Sequence, residues 1–278
     1  GAFYGRQAFV ALHTPVGSIS AGRQYASLFA LSGDFSAFGN GVGGASTAVI
    51  GGFGGGYEPV RGAAVTGVPP AAGATGNGGP VRVNNSIRYE TPELQGLRFS
   101  ALYGAGEVAG ATQDSRLLDV GLRYRGGPFE AMVSVIEDKL AGDAVNARTT
   151  SVAASYALGA ARLYAGYLDF DDRRPASADG KGWWFGGDYR IGTHLLKAQW
   201  VRNEPRTGTD NRTDAYGLGW AVDLSRRSTL YASVTRFDNE AAAGPGGLGR
   251  FNAPVPAGLT RAGDNAITEV LLGLRHVF

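Results

Sequence analysis

Leu118-Asp-Val-Gly-Leu-Arg-Tyr-Arg-Gly-Gly-Pro-Phe-Glu-Ala-Met-Val-Ser-Val135 decides the fold. In an extended chain successive side chains alternate, so Leu118, Val120, Leu122 and Tyr124 share one face and Asp119, Gly121, Arg123 and Arg125 the other. After Gly126-Gly-Pro128 the division returns, with Phe129, Ala131, Val133 and Val135 opposing Glu130, Met132 and Ser134. Two such runs around a glycine turn make a β-hairpin with one apolar face and one polar or small face.

The same period of two extends outward to thirteen segments, at 4–14, 18–25, 81–91, 97–108, 114–125, 128–138, 148–158, 161–170, 181–190, 193–203, 212–223, 227–238 and 265–278. Most are about ten residues long, enough for a tilted strand to cross a bilayer and longer than the roughly five or six residues usual in a soluble sheet. Short connections with turn chemistry, such as Pro15 to Gly17, Pro92 to Gly96 and Gly159-Ala160, alternate with long ones rich in Gly, Pro and charge, such as 26–80 and 239–264. Short turns on one side and long loops on the other predict an up-and-down barrel with its apolar face toward lipid. Tyr89, Tyr103, Tyr124, Phe129, Tyr156, Tyr189 and Trp220 then supply aromatic girdles.

Composition removes the competing classes. No run reaches the roughly 18 apolar residues of a membrane-spanning helix, and mean hydropathy is near neutral, at -0.10. The absence of cysteine excludes disulfides and thiolate metal sites. Of the 26 basic residues only Lys139, Lys181 and Lys197 are lysines, and a net charge of +2 does not suggest nucleic-acid binding. His13, His194 and His276 lie too far apart in the chain to form a ligand motif, and Gly39-x-Gly-x-x-Gly44 has no strand before it or helix after it. No cofactor, metal or catalytic residue is called for, since no serine sits in a nucleophile elbow.

Thirteen antiparallel strands cannot close, because the first and last would run parallel, and single-chain bacterial barrels have even counts. The chain also opens at Gly1 in a strand, with neither Met nor an apolar leader. The expectation is therefore all-β: a transmembrane antiparallel up-and-down β-barrel forming one domain over 1–278, with thirteen strands present of sixteen and an N-terminal stretch missing.

Four stretches carry a family likeness: Arg6-Gln-Ala-Phe-Val-Ala-Leu12 with Gly17-Ser-Ile-Ser-Ala-Gly-Arg-Gln-Tyr25; Arg82-Val-Asn-Asn-Ser-Ile-Arg-Tyr-Glu-Thr-Pro92; Leu224-Ser-Arg-Arg-Ser-Thr-Leu-Tyr231; and Gly273-Leu-Arg-His-Val-Phe278. In these the chain resembles the Gram-negative general porins, particularly the trimeric sixteen-stranded porins of β-proteobacteria. The resemblance implies an outer-membrane homotrimer passing small hydrophilic solutes. It implies that residues 26–80 fold into the lumen as a constriction faced by Arg23 and Arg82, and that Phe278 is an assembly signal. Outer-membrane lipid and lipopolysaccharide are the surrounding partners.

That loop holds sixteen glycines and only two acids, Asp34 and Glu58. By alternation the lumen receives Arg82, Arg88, Arg98, Arg123, Arg125, Arg162, Arg190, Lys197 and Arg275 against Asp119, Glu130, Asp188 and Glu269. Positive charge dominates, and inorganic anions are the expected favoured ions. Strict alternation puts Arg23 on the lipid side, so an inward Arg23 requires a bulge at Gly22 or a strand end there. The alternatives are a substrate-specific channel, with Tyr164, Phe170 and Trp184 on the inward parity, and a barrel enzyme.

Overall fold

The computed structural model describes residues 7–39, 82–105, 116–139, 146–172, 180–205, 213–239 and 265–278. It contains β1 (Ala8–Thr14), β2 (Gly17–Tyr25), α1 (Ser27–Asp34), β3 (Arg82–Glu90), β4 (Leu97–Gly104), β5 (Leu117–Gly126) and β6 (Phe129–Lys139). It continues with β7 (Asn146–Leu158), β8 (Ala161–Asp172), β9 (Gly180–Ile191), β10 (His194–Pro205), β11 (Thr213–Asp223), β12 (Ser228–Asn239) and β13 (Asn265–His276). All thirteen expected strands are present, in one antiparallel sheet whose spatial order is the sequence order. Among the described residues β1 and β13 are edges, and the sheet is not closed.

Local chemistry explains the meander. The two-residue turns after β5, β7 and β9 open on Gly127, Gly159 and Gly192 at φ of +55°, +59° and +58°. That region penalises a side chain, so glycine is what lets each hairpin reverse within two residues. Between turns the strands alternate as expected. Leu118, Leu122, Tyr124, Val133, Val152, Tyr156, Leu163, Tyr189, Leu196 and Leu218 are exposed, whereas Asp119, Met132, Ser134, Ser151, Ala153, Tyr164 and Gln199 on the opposite face are buried. The apolar side chains of that exposed parity thus lie outside any core, the inverse of a soluble sandwich.

Two features depart from the expected pattern. The start of the connection expected to be loop over 26–80 is the helix α1. Eight residues are too few for a stable isolated helix, so α1 depends on packing, with Leu28 and Leu31 buried against the sheet. The second departure is a β-bulge. Gly22 pairs with Ser86 and Gln24 with Val83, so Arg23 opposes both Asn84 and Asn85, and Asn85 takes a φ of +46°.

Candidate functional site

From α1 to Gly39 the chain crosses the buried face of the sheet, and side chains of three distant strands hold its backbone. At the start, the Asp119 carboxylate of β5 accepts the Ser27 N–H at 2.6 Å and also the Ser27 hydroxyl. An acid there satisfies an amide that a helix leaves without a partner and opposes the positive end of its dipole. Farther on, the Trp184 indole N–H of β9 donates to the Phe35 carbonyl at 2.7 Å, and Gln199 Oε1 of β10 accepts the Ala37 N–H at 2.8 Å.

Between these ties lies an apolar cluster. Leu28, Leu31 and Phe35 pack with Val83, Leu117, Ile136, Trp184 and Phe237, all nearly inaccessible. Each such side chain contributes about 1.5 to 3 kcal/mol on burial. Gly166 makes room for the Trp184 ring, since a Cβ there would come within 2.0 Å of it. The loop-end half of this face is therefore apolar, not polar or small as alternation alone predicted.

Toward the short turns the same face is charged. Arg123 bonds Asp34 at 2.7 Å and Glu130 at 2.5 Å, and its guanidinium lies 5.4 Å from the centre of the Phe35 ring. Arg125 shares Glu130 at 2.8 Å and reaches Glu93 at 3.6 Å, which Arg98 meets at 3.5 Å. The result is one chain of ion pairs from the end of α1 to the turn between β3 and β4. On the far side, Lys197 lies 5.7 Å from the Phe38 ring, and the Tyr164 hydroxyl donates to Asp188 at 2.6 Å.

The sequence-derived residues therefore divide. Arg123 and Asp34 meet each other, and Arg88 donates to the Tyr25 carbonyl beside the start of α1 and lies 3.9 Å from Glu90. Arg98 and Arg125 are committed to the turn-end acids, away from α1. Arg82 has a setting different from that of Arg88. The bulge shifts the alternation by one, so Val83 occupies the fully buried position and Arg82 does not share the parity of Arg88. Arg82 instead places its guanidinium 5.4 Å from the Tyr25 ring centre, and Tyr25 stacks on Phe29 of α1 at 3.7 Å.

Arg23 hydrogen-bonds Asn84 within the bulge, whose extra residue falls on β3 opposite Arg23. Glu58 and Phe170 fall outside what is described, the first by position and the second by its side chain. Trp184 and Tyr164 are on the expected face, but both are buried and hydrogen-bonded to protein, which leaves no exposed aromatic track there among the described residues. Phe278 is exposed one residue beyond Val277, whose N–H bonds Arg227. Asp119, Trp184 and Gln199 were not singled out as ties for the loop, because nothing local distinguishes an inward side chain that meets backbone.

An antiparallel meander of membrane-length strands, with an apolar outward band and a segment of the chain lying across the opposite face, is the wall of a transmembrane β-barrel. The chain belongs to the Gram-negative porin family, whose profile matches residues 1–242. It is 27% identical over 206 residues to outer membrane porin protein 32 of Delftia acidovorans, covering 71% of this chain and 57% of that protein. An outer membrane porin protein of Bordetella pertussis is 25% identical over 203 residues, or 55% of this chain and 51% of its own length. The chain thus spans little more than half the length of these relatives. Among solved structures, the anion-selective porin from Comamonas acidovorans superposes with a TM-score of 0.72 at 21% identity, covering 98% of this chain and 78% of that one. The outer membrane is where such a wall belongs.

Proposed function

We propose that the chain forms most of the wall and the constriction of a water-filled channel for passive diffusion of small hydrophilic solutes, with a preference for inorganic anions. The observation that carries this reading is the inversion of the sheet: apolar and aromatic side chains are exposed, while the opposite face gathers the charges and the segment 27–39. A buried polar face beside a tied-down connection is what a narrowed aqueous path requires, and charge there biases which ion enters.

The anion preference rests on the balance near that segment. Arg82 and Arg88 flank its start, while its own acid Asp34 is taken by Arg123. The solved neighbour whose printed description is anion-selective supports the same assignment. No catalytic role is assigned to any residue. The homotrimer rests on the family resemblance.

Reversal potentials of the full-length protein in planar bilayers under a potassium chloride gradient test this reading. A chloride-preferring sign is expected, and a potassium-preferring sign overturns the selectivity. Absence of any conductance step overturns the channel itself.

A further inference from the structure

Two inward side chains of β10 reach the crossing segment, and they act on it differently. Gln199 accepts the Ala37 N–H at 2.8 Å and fixes the backbone. Two residues away on the same face, Lys197 lies 5.7 Å from the centre of the Phe38 ring. Gly219, opposite Lys197 on β11, leaves the hollow that seats this ring, since a Cβ there would come within 2.6 Å of it. The ring therefore rests against the wall beside the lysine stem, and its face attracts the ammonium.

The cations around this segment differ in how far they are compensated. On the β5 side Arg98, Arg123 and Arg125 face Glu93, Glu130 and Asp34, one carboxylate for each guanidinium, and their fields largely cancel. Among the described residues Lys197 has no carboxylate at ion-pair distance. Asp188 stands opposite it on β9, but the same acid stands opposite Arg162 on β8 and accepts the Tyr164 hydroxyl at 2.6 Å. The row Arg162, Asp188, Lys197 thus carries one cation more than it has acids. Lys197 is also half-buried, so its charge is less screened than one on an open rim.

We propose that Lys197 is a specificity-determining residue for anion passage, set at the far end of the segment from the arginines that flank its start. This rests on the channel reading above and assigns part of its selectivity to a single side chain. An ammonium has three N–H donors and no acceptor, so one without a carboxylate partner can replace part of the hydration shell of a passing anion. Potassium meets the same charge as a barrier. Phe38 carries no formal charge, so it positions the ammonium without neutralising it.

The test measures the chloride-to-potassium permeability ratio of the full-length protein in planar bilayers under a potassium chloride gradient. Lys197→Gln is expected to lower the ratio about threefold, and Lys197→Arg to keep it near the parent value. The deficit of Lys197→Gln should shrink as the mean salt rises from about 0.1 M to about 1 M, which a purely structural role would not produce. Phe38→Leu leaves every charge in place and frees the ammonium, so it should lower the ratio by a smaller factor; it carries the test if Lys197→Gln does not fold. A parental ratio in both Lys197→Gln and Phe38→Leu overturns the assignment. So does an equal drop in Arg226→Gln, which removes one exposed charge at a turn. A parent without chloride preference removes the channel's selectivity reading itself, whereas a chloride-preferring parent with an unaffected Lys197→Gln removes the assignment alone.

Discussion

The two halves of the buried face solve different problems. Beneath α1 the wall is apolar, with Leu117, Ile136, Trp184 and Phe237 closing around Leu28, Leu31 and Phe35. Toward the turns it is a run of ion pairs from Asp34 through Arg123 and Glu130 to Glu93. In the channel proposed above, burial would place the crossing segment and charge would condition the path beside it, so position and selectivity would be carried by different residues. A pore built this way can change one with limited effect on the other.

Trp184→Ala is the strongest way to break that separation. It removes both the ring seated over Gly166 and the donor to Phe35, at about 3 to 5 kcal/mol. Larger polyethylene glycols should then enter, read by exclusion of polymers from the open channel, while the reversal potential moves little. An unchanged size cutoff would show that the apolar half does not position the segment.

Leu122→Arg tests the opposite face of the same strands. At mid-wall toward lipid, an arginine is expected to cost roughly 2 to 4 kcal/mol, read as a lower urea midpoint of the barrel in lipid vesicles. Stability equal to the parent would mean that this face does not meet lipid. Arg123→Gln has the smallest expected effect on folding, because its partners are partly exposed. It leaves Asp34 and Glu130 without their shared cation, so the reversal potential should shift toward potassium. Adding Asp34→Asn should recover part of that shift, and independent effects of the two changes would separate the charges from one another.

Most of the architecture was legible because period two and bilayer-spanning length are properties of neighbouring residues. The turn glycines and both faces of β5 and β6 follow from them directly. The inward apolar cluster was harder to see, yet it left a trace. Leu117-Leu118 and Val135-Ile136 are consecutive apolar pairs near loop ends, as expected where both faces of a strand are covered. The bulge hid the setting of Arg82, because alternation counted from Arg88 assumes an unbroken ladder. Asn84-Asn85 was the available hint, since asparagine accepts a positive φ better than most residues. The ties from Asp119, Trp184 and Gln199 join residues 92, 149 and 162 positions apart, and no local pattern reports contacts at that distance.

Those long separations also order events in time. Each hairpin of the wall pairs neighbours along the chain, whereas the partners of the segment after β2 are brought together only by the sheet that joins β5 to β9 and β10. Contacts so far apart in sequence are expected to form after the local hairpins, so the docking of this segment should lag behind the pairing of the strands that hold it.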